Sequence, residues 1–308
     1  MNNHNAIKQF DTHCALGESP LWHKSTSTLF WLDIEKQQLF SYQSGQAVQQ
    51  ITLNAKVSFI AETNDPELLI GLADFGIVLI NINSHKIDCV QNFPDYEGSS
   101  NRANDGGISP KGQLFFGTMD NEAKNNNGSL YAFDGTLQCL ESNVLVPNLF
   151  AFIDDNNFFF ADSLNNQIEH CTLDQSTIEN GFLDNALLEK LSIENDAINN
   201  KKLTRKHWVS TPEGVFPDGG CLDKQGGLWS AQWGASQVVR YSLQDKAITD
   251  IIHLPELQVT SCCFIGENLD QLFITTAAEG LQSSQFGHCY ICELPFNGHP
   301  YIILIHHF

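Results

Sequence analysis

Oxygen-bearing side chains recur in four short stretches of the chain, and together they could hold a cation and a polar substrate. The stretches are Gly17-Glu18-Ser19-Pro20, Asn101-Arg102-Ala103-Asn104-Asp105-Gly106-Gly107, Val146-Pro147-Asn148-Leu149 and Phe216-Pro217-Asp218-Gly219-Gly220. Glu18, Asn148 and Asp218 offer only oxygen donors, leaving water to complete a coordination shell. That set suits calcium, magnesium or manganese, can also hold zinc, and contains no soft sulfur. Each residue also has an ordinary local reading. Asp105 and Asp218 precede glycine, as turn aspartates commonly do. Glu18 and Asn148 could simply accept backbone hydrogen bonds, and Arg102 could serve a structural salt bridge. The chain has no Gly-x-Ser-x-Gly nucleophile elbow and no glycine-rich phosphate loop between strand and helix. Chemistry at these oxygens would therefore be metal-assisted, and it requires groups about 200 residues apart to converge.

A repeated phrase supplies the scaffold for that convergence. Short apolar or aromatic strands begin at Leu29, Leu69, Leu114, Phe158, Leu228 and Leu272, at intervals of 40, 45, 44, 70 and 44 residues. A period in the forties built from strands and turns is the signature of a propeller blade. The expected fold is all-β, a six-bladed β-propeller forming one domain over residues 1–308. Hairpin turns are expected at His23 to Thr28, Asp74 to Gly76 and Pro110 to Gly112. The 70-residue interval implies an inserted segment around 174–200, either a short amphipathic helix or an elongated hairpin. A degenerate seventh blade fits its sparse strand signal less well. Loops from all blades meet at one axial channel, so polar residues just before successive inner strands can share its mouth.

Composition narrows the partners. With 36 acidic against 16 basic residues, the formal charge of −20 repels nucleic-acid phosphates and anionic lipid. Met1 to Phe10 is polar, so neither a signal peptide nor a membrane anchor is expected. Nine cysteines, an odd number without framework spacing, fit reduced and mostly buried strand residues in a cytoplasmic protein. Cys289 and Cys292 form a CxxC pair, but residues three apart on a strand face opposite ways. A zinc or redox role for that pair is not expected.

Several motifs resemble the gluconolactonase/senescence-marker-protein family, the regucalcin-like sugar lactonases. They are Leu16-Gly17-Glu18-Ser19-Pro20-Leu21-Trp22 with Phe30-Trp31-Leu32-Asp33, Arg102-Ala103-Asn104-Asp105-Gly106-Gly107 with Gly117-Thr118-Met119, Pro217-Asp218-Gly219-Gly220 with Gly227-Leu228-Trp229-Ser230, and Thr260-Ser261-Cys262-Cys263-Phe264 with Leu272-Phe273-Ile274-Thr275. The resemblance runs from about residue 14 to 294. It implies one divalent cation at the channel mouth and hydrolysis of a sugar lactone to the aldonic acid. It further implies that Glu18, Asn148 and Asp218 hold the ion, with Asp218 as general base. Arg102 and Asn104 match substrate-binding residues, and Glu122 falls where some members hold a sugar hydroxyl. The implied partner is a small sugar lactone, and the protein would be a monomer or small homo-oligomer. A phosphotriesterase-like hydrolase and a non-catalytic calcium-binding propeller are the alternatives on the same site. The chain departs from the family at Leu149, where glycine is usual, and at Pro147, where a small polar residue is usual. Leucine disfavours a positive φ, so a difference in the local backbone or in the channel width is expected at 149.

Overall fold

The computed structural model describes residues 1–94, 100–174, 203–281, 286–300 and 304. Among these residues, strands form six sheets, five of four strands and one of five. They are the blades of a six-bladed β-propeller. Blade 1 comprises Gly17–His23, Thr28–Asp33, Gln38–Gln43 and Gln49–Thr52. The innermost strands of the six blades are Gly17–His23, Val57–Glu62, Asn101–Ile108, Pro147–Phe152, Phe216–Asp223 and Val259–Ile265. Each lies beside its counterparts in the neighbouring blades, around the axis.

The repeated phrase is the second strand of every blade: Thr28–Asp33, Leu68–Ala73, Leu114–Asp120, Asn157–Asp162, Gly227–Trp233 and Gln271–Thr276. These strands are apolar on both faces because both faces pack against adjacent blades. In blade 1, Leu32 points into a cluster with Ile60, Leu69 and Val78 of blade 2, whereas Trp31 packs with Phe273 and Cys289 of blade 6. Fourth strands meet solvent and carry polar sequence; Gln49–Thr52 is exposed except at one half-buried residue. Strands end at His23 and resume at Thr28, and the pairs around 74–75 and 109–113 follow the same plan, as the turn residues imply.

The ring is closed by the N-terminal segment. Ile7–Phe10 pairs antiparallel with Cys289–Glu293 and supplies the outer strand of blade 6. Asn2–Asn5 pairs parallel with Ile248–His253 as a fifth strand on blade 5. Phe10 and Phe40 both stack on Trp31, with centroids at 5.4 and 5.2 Å, so the closing strand is anchored in the core. Cys289 and Cys292 enter different clusters on opposite faces of blade 6. The long interval arises in blade 4, between the third strand Gln167–Leu173 and the fourth strand Leu203–Ser210. Apart from Asp174, the inserted segment expected there lies outside the described residues. Among the described residues no helix is long and apolar enough to cross a membrane.

A buried ion pair stiffens the end of blade 5's inner strand. Asp223, 1% exposed, accepts from Arg240 Nε at 2.6 Å and Nη2 at 3.0 Å, from Trp229 Nε1 at 2.8 Å and from the Gly227 backbone N–H at 3.0 Å. Removing one partner leaves the other charge desolvated and uncompensated. Asp223→Ala is expected to lower unfolding free energy by about 3–5 kcal/mol in urea titration. Asp88→Ala, which breaks the exposed Lys86–Asp88 pair, is expected to leave stability nearly unchanged.

Candidate active site

All six inner strands contain one more residue than the matching stretch of their second strand. The register shifts fall between Glu18 and Leu21, Val57 and Phe59, Ala103 and Gly106, Asn148 and Ala151, Pro217 and Gly220, and Val259 and Ser261. A bulge breaks strict alternation and re-aims side chains. Glu18, Asn104, Asp105, Asn148 and Asp218 all sit at these bulges. They therefore lie inside the inner strands rather than in the loops before them, and the aspartates preceding glycine are bulge residues rather than turn residues.

One cavity of about 380 Å³ collects them. Glu18, Arg102, Asn104, Glu122, Asn148 and Asp218 all line it, as does Asp105. Its volume falls in the range of about 300–1,000 Å³ typical of small-molecule sites. Asp105 also borders a second cavity, of about 220 Å³, lined by the later halves of the inner strands. This carboxylate thus marks the floor between the two ends of the channel. Glu122 stands at the rim, exposed and paired with Lys124 Nζ at 2.6 Å.

Second-strand aspartates hold the segments that lead into the site. Asp33 accepts from the backbone N–H of Ala15 at 2.8 Å and Leu16 at 3.2 Å, just before Glu18. Asp162 accepts from Leu145 at 3.2 Å and Val146 at 2.9 Å, just before Asn148. Both aspartates end a copy of the repeated phrase, which is the sequence signal that could have disclosed their role. Ser19 and Leu149, each following a candidate ligand, adopt left-handed φ values of 47° and 59°. The expectation of an altered backbone at Leu149 is thus corrected, because leucine adopts the conformation that glycine would favour. Asp105 Oδ2 accepts from the Leu149 N–H at 2.9 Å, and the Leu149 side chain is fully buried. These interactions offset a left-handed cost of about 1–2 kcal/mol.

Electrostatically the site lacks positive charge. Burial raises the proton affinity of Glu18, and Asp218 and Asp105 raise it further, against the Ser19 N–H and Arg102. Asp218 is raised by burial and by Asp105, despite the Gly219 N–H and Arg102. Burial pushes Asp105 up to about 6, although Gly106 and Leu149 donate to it. Burial lowers the Arg102 pKa, while Glu35, Glu279, Glu18 and Asp218 act in the opposite direction. When ionised, the three inner carboxylates Glu18, Asp105 and Asp218 outnumber the one guanidinium, and Glu122 and Glu279 at the cavity lining add to the negative charge.

The donor set fits a divalent cation. Glu18 Oε2 accepts from Ser19 N and Asp218 Oδ1 from Gly219 N, both at 3.1 Å. The second oxygen of each carboxylate has no protein donor among the described residues. Both Asp105 oxygens are already engaged by backbone N–H groups. Among the described residues, no three histidine, cysteine, aspartate or glutamate side chains form a metal cluster by themselves. A site here consequently depends on the Asn148 amide oxygen and on water. Arg102 makes no ion pair among the described residues; its Nη1 donates to the Ala103 carbonyl at 2.9 Å and to Asn104 Oδ1 at 2.7 Å.

A six-bladed propeller with hard oxygen donors and one guanidinium at its axis defines a class of small-molecule sites. Within that class the chain belongs to the SMP-30/Gluconolactonase/LRE-like family, whose model matches residues 16–278. Regucalcin of Bos taurus is 27% identical over 283 residues, covering 88% of this chain and 86% of its own length. Pentonolactonase XacC of Haloferax volcanii is 28% identical over 269 residues, covering 87% and 83%. The crystal structure of a calcium-binding regucalcin from Agrobacterium tumefaciens superposes with a TM-score of 0.83 at 22% identity, covering 99% of both chains.

Leu149→Gly separates backbone strain from packing. Glycine removes the left-handed penalty, but deleting a fully buried leucine costs about 2–5 kcal/mol, the larger effect. The variant is expected to be less stable than the parent in urea titration of chelator-treated protein.

Proposed function

We propose that the protein is a divalent-cation-dependent lactonase that hydrolyses a sugar lactone to the corresponding aldonic acid. The observation that carries this reading is the convergence of Glu18, Asn148, Asp218, Arg102 and Asn104 on one cavity. Family membership and a relative named pentonolactonase support the reaction class. The relative and the solved structure named regucalcin, the latter described as calcium-binding, support the choice of a cation.

Glu18, Asn148 and Asp218 would hold the ion, with calcium, magnesium, manganese and zinc as candidates. When bound, such an ion acts as a Lewis acid toward the lactone carbonyl and offsets the charge that develops on its oxygen. Arg102 donates hydrogen bonds to the polyhydroxylated ring or its carbonyl, and Asn104 and Glu122 fix further hydroxyls. The Asp218 carboxylate takes a proton from the attacking water and returns it to the ring oxygen as the ester C–O bond breaks. The new carboxylic acid then ionises, so each turnover releases one proton to solution.

The test is proton release from a panel of aldonolactones, using protein stripped with chelator and reloaded separately with each of the four metals. Metal-dependent turnover of one lactone well above its spontaneous rate is expected. Faster turnover of organophosphates would favour the phosphotriesterase alternative, and cation binding without any turnover would favour the binding protein. Asp218→Ala is expected to abolish turnover and weaken the cation, whereas Arg102→Ala raises KM with the cation still bound. Full activity in Asp218→Ala would refute the assigned role.

Protons and the cation compete for the same carboxylates, whose proton affinities are raised in the folded protein. The calcium-induced rise in Tm should therefore be largest on the alkaline side of the window in which these carboxylates titrate, and should shrink as pH falls through it. A calcium effect independent of pH across that window would contradict the assignment of these ligands.

A further inference from the structure

A directional chain of hydrogen bonds crosses the site from blade 3 to blade 5. Arg102 Nη1 donates to Asn104 Oδ1 at 2.7 Å. Asn104 Nδ2 donates to the Pro147 carbonyl at 3.0 Å and to Asn148 Oδ1 at 2.9 Å. Asn148 Nδ2 donates to Ser163 Oγ at 2.9 Å, and Ser163 Oγ donates to the Pro217 carbonyl at 2.6 Å. Both ends dictate the same polarity. A guanidinium only donates and a carbonyl only accepts, so neither asparagine amide can be reversed without opposing like groups. The Pro147 carbonyl fixes Asn104 independently, so the polarity does not depend on Arg102 alone.

We propose that Ser163 is a positioning residue that locks the Asn148 amide with its oxygen available to the cavity, and couples that ligand to the strand bearing Asp218. This rests on the reading that Asn148 supplies an oxygen to a cation. Asn148 and Ser163 are 6% and 5% exposed, so neither partner readily exchanges its bond for one to bulk water. The Ser163 N–H donates to the Val146 carbonyl at 2.9 Å, while the preceding Asp162 holds the Leu145 and Val146 N–H groups. The hydroxyl is thereby fixed relative to the strand carrying Asn148. Its bond to Pro217, the residue before Asp218, joins the inner strands of blades 4 and 5. Without the hydroxyl, the Asn148 amide nitrogen is orphaned in a buried site and the amide plane loses its second anchor. Groups that orient a metal ligand in this way typically contribute about 10–100-fold in metal affinity.

The experiment is calcium titration by calorimetry, with Tm measured in chelator as a separate readout. Ser163→Ala is expected to raise the calcium Kd about ten-fold, Ser163→Thr to restore most of the affinity, and Ser163→Cys to fall between them. Asn148→Asp supplies the decisive background, because a carboxylate has two equivalent oxygens and no donor to orient. Adding Ser163→Ala to Asn148→Asp should change Kd less than about two-fold. The inference is overturned if Ser163→Ala or Ser163→Cys binds calcium like the parent. It is equally overturned if Ser163→Ala costs as much in the Asn148→Asp background, which would mark a merely structural role. Failure of the unmutated protein to bind calcium or any of the other three metals would overturn the cation reading and this inference together.

Discussion

Three carboxylates brought together inside a protein repel one another and lose hydration, and the axial site is organised around that penalty. Glu18, Asp105 and Asp218 are each pushed toward the protonated form by burial, with Arg102 as the opposing cation at Glu18 and Asp218. The arrangement opposes folding unless something else holds the strands in place. Six blades do so, through apolar second strands packed on both faces and an N-terminal strand that closes the ring. The unfavourable charge is thus confined to the axis, where a divalent cation would relieve it.

The bulges convert a symmetric ring into an asymmetric site. Every inner strand carries one extra residue at the corresponding place, yet the side chains there differ between blades. Blades 1, 3, 4 and 5 present Glu18, Asn104 with Asp105, Asn148 and Asp218, whereas blades 2 and 6 place Ser58 and Thr260 within their register shifts. Buried second-strand aspartates fix the backbone leading into blades 1 and 4. Asp105 and Ser163 then tie the site together between blades, one by gripping the Leu149 N–H and the other by joining Asn148 to Pro217. Site geometry therefore follows from backbone irregularity, with side-chain hydrogen bonds running both within blades and between them.

The blade repeat was legible because the second strands are buried on both faces, which writes a dense apolar phrase into the sequence. Glu18, Arg102, Asn104, Asn148 and Asp218 were legible as polar residues in otherwise tight stretches, and through family resemblance. Glu122 was nameable only by resemblance, which accords with its exposed place at the rim. Ser163 and the floor position of Asp105 were not legible, because their roles depend on which residues face each other across blades. Leu149 misled for a physical reason. Local preference argues against its backbone conformation, whereas a buried side chain and the Asp105 hydrogen bond outweigh that preference.

The axial oxygens of Glu18, Asn148 and Asp218 are proposed to form one cation site. Anomalous diffraction from crystals soaked in manganese tests it directly. A single strong peak is expected at the axis, within coordination distance of both carboxylates and of Asn148 Oδ1. A map with no axial peak, or with manganese bound only at carboxylates elsewhere on the propeller, would contradict it.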